Sequence, residues 1–142
     1  MMRVRCKVGD SPIHNQGLFA AQTIPAGTVV WSFSTLFDRG INEHVYSHAS
    51  KPEQVKLFSR GFRNPHAPNV IVCCGDESQF LNFPLPENKP NVVVSGAIDG
   101  YDILVAARDI DIGEELLVSP ESDYDYLTKV MQYVPAGKDK GD

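Results

Sequence analysis

Apolar residues in this chain come in short bursts, separated by polar and turn-forming residues. Val29-Val30-Trp31, Val70-Ile71-Val72, Val92-Val93-Val94 and Ile103-Leu104-Val105 are typical. β-Branched residues dominate these bursts; they are stiff at χ1 and suit a pleated surface. Gly and Pro fall between them, a pattern of many short strands joined by turns. Strands are expected near residues 4–8, 17–20, 28–33, 69–73, 91–95, 103–107 and 115–118. Within one of them, Trp31 and Phe33 alternate with Ser32 and Ser34, which predicts core against surface.

Two stretches carry helical signals instead. Ser50 and Glu53 form a Ser-x-x-Glu capping box, Pro52 stands in the first turn, and Val55, Leu57 and Phe58 offer apolar contacts before Gly61. Further on, Tyr126, Val130, Met131 and Val134 recur at helical spacing over 123–134, and Pro135 stops the run. Residues 136–142 read as a flexible, solvated C-terminal tail.

One pattern occurs twice. Ala21-Gln-Thr-Ile24-Pro-Ala-Gly27 and Ala107-Arg-Asp-Ile110-Asp-Ile-Gly113 are both Ala-x-x-Ile-x-x-Gly, each preceded by an apolar strand. The physical reading is strand, turn closed by Gly at positive φ, and strand, with Ile pinning the turn to the core. Two copies predict two similar β units packed face to face.

Composition narrows the class. A chain of 142 residues with 42% hydrophobic and 22% charged residues reads as one globular domain. Apolar runs fall short of the roughly 20 residues that span a bilayer, and the start lacks the apolar segment of a signal peptide. An intracellular location is expected, cytoplasmic or, in a eukaryotic host, nuclear. The net charge of −5 disfavours direct nucleic-acid binding and suits a basic peptide. Cys6, Cys73 and Cys74 lack zinc-finger spacing and read as small hydrophobes. His44 and His48 stand four apart, but no Glu follows the first His as in catalytic zinc motifs, so no metal site is expected. Asp109, Asp111, Glu114 and Glu115 cluster on a turn, as solvated charge or as an attractor of a basic peptide.

Three blocks together resemble the SET domain family of protein-lysine methyltransferases. The first is Ser11-Pro-Ile-His-Asn15-Gln16-Gly17-Leu18-Phe19-Ala20, similar to the family's opening loop but with Asn15-Gln16-Gly17 where Gly-x-Gly is usual. In the family this loop wraps the cofactor's methionine end, and Asn is the residue after Gly that best tolerates a left-handed backbone. The second is Gln79-Phe80-Leu81-Asn82-Phe83 with Pro90-Asn91-Val92, similar to Arg-Phe-Ile-Asn-His-Ser and Pro-Asn-Val. Asn82 falls on the cofactor-binding Asn; Phe83 replaces His and Gln79 replaces Arg. The third, Ile110-x-x-Gly113-Glu114-Glu115-Leu116-Leu117-Val118, resembles the Ile-x-x-Gly-Glu-Glu-Leu signature, with a likeness to the PR-domain branch.

The resemblance implies a mainly β fold with short helices, a β-clip of several small curved sheets spanning 1–135, with a poorly matching insert at about 36–69. It implies S-adenosylmethionine as cofactor, bound by Asn15, Gln16, Gly17, Leu18, Asn82 and Phe83, and a lysine-containing basic protein or peptide as substrate. The family's catalytic Tyr corresponds to Pro120, which has no hydroxyl, so Tyr124 becomes the candidate for that role. The alternative is a degenerate SET-like module that binds a partner or the cofactor without turnover.

Overall fold

The computed structural model of the chain describes residues 1–64 and 67–119. In chain order the elements are β1 (Cys6–Asp10), β2 (Gln16–Ala20), β3 (Val29–Trp31), β4 (Arg39–Asn42), α1 (Glu43–Tyr46), α2 (Lys51–Arg60), β5 (Gly61–Asn64), β6 (Ala67–Cys73), a 3₁₀ turn (Glu77–Phe80), β7 (Val92–Ile98) and β8 (Tyr101–Ala106). They form three small antiparallel sheets: β1-β2, β3-β8-β7 and β4-β6-β5. The fold is mainly β with short helices, as the pattern of short apolar bursts requires.

The helix expected at Ser50 is α2. Ser50 Oγ accepts from Glu53 N–H, and Glu53 Oε1 accepts from Ser50 N–H, closing the capping box. Those bonds, the backbone one first, hold the Glu53 carboxyl below its usual range. Gly61 caps the other end. The expected apolar contact from Val55 is not made, since Val55 is exposed and Gln54 is buried in its stead.

Other expectations shift. The first strand begins at Cys6 rather than residue 4, and the third is confined to Val29–Trp31. Residues 115–118 form isolated bridges to three different segments, through Phe19, Asn82 and Val92, and so make no ladder. The insert holds two strands that the apolar pattern misses, β4 and β5, flanking β6. The helix expected at 123–134 and the tail lie outside the described residues.

The repeated turns account for the middle of the molecule. Ile24 N–H donates to Ile110 O at 2.9 Å, and Ile110 N–H donates back to Ile24 O at 2.8 Å. Gly27 N–H reaches Ala106 O and Gly113 N–H reaches Ala20 O, each at 2.8 Å. Ala106 N–H to Thr28 O and Ala20 N–H to Glu114 O, each at 2.9 Å, complete the set. Each of these backbone bonds has its counterpart in the other copy, so the two copies are related by a local two-fold. Gly27 and Gly113 take the expected positive φ, +84° and +91°. Ile24 and Ile110 are fully buried, with Leu18, Val30, Trp31, Val92, Leu104 and Leu116 around them. Trp31 is core as expected, and its Nε1–H donates to Ser78 Oγ at 3.2 Å.

Candidate functional site

The β1–β2 connection is shaped by Ser11. Its hydroxyl oxygen accepts from Ile13 N–H at 3.0 Å and His14 N–H at 3.3 Å, and its own N–H closes the turn on Asn15 O at 3.0 Å. Asn15 sits at φ +38°, the left-handed region that favours Gly or Asn. Gly17 is required by close approach and does not sit at positive φ. A Cβ there would lie 2.2 Å from Glu115 Oε2 and 3.0 Å from Ser11 Cβ, so what the position demands is space.

Asn82 approaches this turn from the other side. The 3₁₀ turn before it is capped by Asp76, whose side chain accepts from Ser78 N–H at 3.1 Å. Beyond the turn the chain is extended, and Asn82 O accepts from Val118 N–H at 3.0 Å. The Asn82 Nδ2 group lies 2.9 Å from Glu115 Oε2, 3.0 Å from Gln16 O, and 3.4 Å from both Ser11 Oγ and His14 O. Its two protons are therefore shared among four acceptors. Ser11 Oγ–H in turn faces both Glu115 carboxylate oxygens at 2.8 Å.

The segment that carries Glu115 lies between two others. Asn91 is 2% exposed; its Nδ2 donates to Glu115 O and its Oδ1 accepts from Leu117 N–H, each at 2.8 Å. Ser119 N–H donates to Val92 O at 2.8 Å. Asn91 thus fixes the backbone that aims the Glu115 carboxylate at Asn82.

Of the residues proposed from sequence, Asn15, Gln16, Gly17 and Asn82 come together here. Leu18 is fully buried, so only its backbone is available, and its carbonyl is taken by Leu116 N–H at 2.8 Å. Phe83 is half-buried beside Asn82. Pro120 and Tyr124 lie outside the described residues. The sequence reads Glu115 as solvated charge or as an attractor of a basic peptide; its carboxylate belongs instead to this cluster. Its acidic neighbours serve the turn: Glu114 pairs with Arg108 at 2.8 Å, and Asp109 Oδ1 accepts from Ala26 N–H at 2.8 Å. The Arg108 hydrogen bond, followed by the Asp111 N–H, holds the Glu114 carboxyl below its usual range.

Titration of nearby groups follows their surroundings. Burial pushes the Asp76 carboxyl up, but the Ser78 hydroxyl and the Met2 and Ser78 N–H groups outweigh it and hold it below its usual range. Burial pushes the Cys6 and Cys74 thiols up to about 12. His44 and His48 do stand together, ring centroids 5.1 Å apart, with His48 Nδ1 donating to His44 O at 2.7 Å. Among the described residues no group of three or more His, Cys, Asp or Glu side chains is placed to hold a metal, and no helix is long and apolar enough to cross a membrane.

Comparison with known proteins shows which folds the chain resembles. No curated protein sequence matches the chain. Among solved structures, a Plasmodium falciparum protein named as a histone methyltransferase superposes with a TM-score of 0.57 at 15% identity, covering 83% of this chain and 94% of its own. A humanized mutant of the Chaetomium thermophilum Polycomb Repressive Complex 2, bound to an inhibitor, gives 0.64 at 21% identity and 89% coverage of this chain. The ctPRC2 complex, autoinhibited and bound to S-adenosylmethionine, gives 0.63 at 19% identity and 91% coverage. This chain spans only 16% and 17% of those two longer chains. The SET domain family profile matches residues 15–119, from the Asn15 turn to Ser119 beside Val92, and the chain belongs to the SET domain family.

Proposed function

We propose that this chain is an S-adenosylmethionine-dependent protein-lysine N-methyltransferase, with Asn15, Gln16, Gly17, Leu18, Asn82 and Phe83 holding the cofactor. The observation that carries the reading is the meeting of Gln16 O with Asn82 Nδ2 at 3.0 Å, across 66 positions of sequence. Asn82 Nδ2 is committed to the chain's own acceptors, which leaves Oδ1 as the end of that amide available to a ligand. With the carbonyls of His14 and Gln16 beside it, the site is rich in acceptors. Such a set suits an ammonium group, which has donors and no acceptor. The family's cofactor has one at its methionine end, so the residues fit it.

When bound, the cofactor supplies a methyl group on a positively charged sulfur. The protein's part is to accept a lysine as its neutral amine and hold it in line. Lysine has a pKa of about 10.4 in water, and an apolar channel lowers it by desolvation. Orientation supplies much of the remaining acceleration. We assign the hydroxyl that orients the amine to Tyr124, because Pro120 has none. The substrate is a basic, lysine-containing protein or peptide, in keeping with the net charge of −5. Pro120 also favours a second reading, a SET module that binds cofactor or partner without turnover.

Calorimetric titration with S-adenosylmethionine tests the cofactor assignment, and methyl transfer to a basic protein mixture tests turnover. Binding with transfer, lost in Tyr124→Phe at unchanged cofactor affinity, is the expected result. Binding without transfer selects the second reading, and no binding at millimolar cofactor refutes both.

A further inference from the structure

Glu115 is a carboxylate held by neutral groups at the point where the three parts of the candidate site meet. One oxygen, Oε2, accepts from Asn82 Nδ2 at 2.9 Å. Both oxygens lie 2.8 Å from the Ser11 hydroxyl, which in turn organises the 11–15 turn by accepting from Ile13 and His14. The same Oε2 occupies the space where a side chain on residue 17 would start. The carboxylate therefore fills the gap that Gly17 leaves open, and it touches both halves of the site. Its own backbone is fixed by Asn91, so it has little freedom to move away.

From this arrangement we infer that Glu115 is a positioning residue for the cofactor site: it fixes the rotamer of the Asn82 amide and clamps the Ser11–Gly17 turn against it. This rests on the cofactor reading above. Asn82 Nδ2 has four acceptors within 3.4 Å and two protons, so the amide has competing orientations. Glu115 Oε2 is the nearest of the four, at 2.9 Å. Bonding to Glu115 keeps the NH₂ end turned inward and Oδ1 turned to the ligand. The role depends on reach and on an acceptor at the Oε2 position. A glutamine side chain meets both needs: its Oε1, placed where Oε2 stands, accepts from both Asn82 Nδ2 and the Ser11 hydroxyl, as Oε2 does. An aspartate keeps the charge and is one methylene too short.

The test is the affinity for S-adenosylmethionine and for its demethylated product, measured by calorimetry on the full chain. Glu115→Gln should bind within about threefold of wild type, and Glu115→Asp and Glu115→Ala should each lose about tenfold or more. Ser11→Ala should lose affinity in the same direction by a smaller factor, and it serves as the second readout should Glu115→Ala not fold. Asn64→Ala is the control: it removes bonds to Gly100 O and Asp102 N–H, touches none of these residues, and should lower stability while leaving affinity unchanged. Equal affinity in wild type, Glu115→Asp and Ser11→Ala overturns the inference while leaving the cofactor reading intact. Loss in Glu115→Gln equal to that in Glu115→Ala also overturns it, because charge and not position would then be what matters. No binding by wild type overturns both.

Discussion

Truncating Asn91 to Ala should unfasten the segment that carries Glu115. The side chain makes two bonds of 2.8 Å, one from Nδ2 to Glu115 O and one to Oδ1 from Leu117 N–H, at a residue only 2% exposed. Alanine leaves both backbone groups without these partners. The Leu117 N–H is in the buried bond and bears the larger penalty; the Glu115 carbonyl is partly exposed and recovers some of its loss from water. A buried polar group left unsatisfied costs about 1–3 kcal/mol, so Asn91→Ala should cost about 2–4 kcal/mol in all. Against a total of roughly 5–15 kcal/mol that is a large fraction. Thermal unfolding should shift down by roughly 6–12 °C. Urea unfolding should show a lower midpoint at unchanged slope. A midpoint equal to wild type would mean that the neighbouring bridges hold residues 115–119 without Asn91, and that Asn91 does not fix this segment.

Gly75→Ala should be far more damaging than Gly113→Ala. A Cβ at residue 75 would stand 1.8 Å from the Phe37 carbonyl oxygen, whereas at residue 113 it meets nothing within 4 Å and costs only the ~1–2 kcal/mol of a left-handed backbone; comparable urea midpoints for the two would refute this. Asp76 is depressed below its unfolded value of about 3.9, so its contribution is present above that pH and lost as pH falls through the folded pKa. The stability difference between wild type and Asp76→Asn should therefore be full at neutral pH and shrink as pH falls below the unfolded value, and a difference that grows on acidification would contradict the sign. Cys6 and Cys74, both pushed up to about 12, should resist iodoacetamide in the folded chain at about pH 8 and react promptly in denaturant. Rapid native labelling at either would show the thiol to be less desolvated than the fold places it.

Where the sequence was readable, the signal was local. Ser50, Pro52 and Glu53 mark the start of α2 because a capping box closes within one turn. Gly27 and Gly113 mark positive-φ turns because few other residues accept that backbone. What sequence hid was decided across space. β4 reads Arg-Gly-Ile-Asn, with one apolar residue, and Gly40 is there because a Cβ would lie 2.6 Å from Tyr101 Oη. Gln54 is buried and Val55 exposed, because Gln54 Nε2 bonds the Tyr46 and Ala49 carbonyls at 3.0 and 3.3 Å. Asn15 and Asn82 were legible as site residues through the family's motifs, while Glu115 looked like one more surface acid. Its partner Ser11 is 104 positions away, beyond anything that spacing along the chain reveals.

The exchange of bonds between the two repeated turns has a consequence for how the chain reaches this structure. Neither copy satisfies its own Ile and Gly backbone groups; Ile24 and Gly27 wait for Ile110 and Ala106, and Gly113 waits for Ala20. During synthesis the first turn leaves the ribosome with no partner until almost all of the described chain has followed. Closing so long a loop is an entropic cost borne before any of the paired bonds is gained. Non-local pairings of this kind place folding in the millisecond-to-second range rather than among the microsecond helical bundles. Until closure, the apolar strands before each turn are open edges, and the interval in which a nascent chain is vulnerable to aggregation is set by the arrival of its second half.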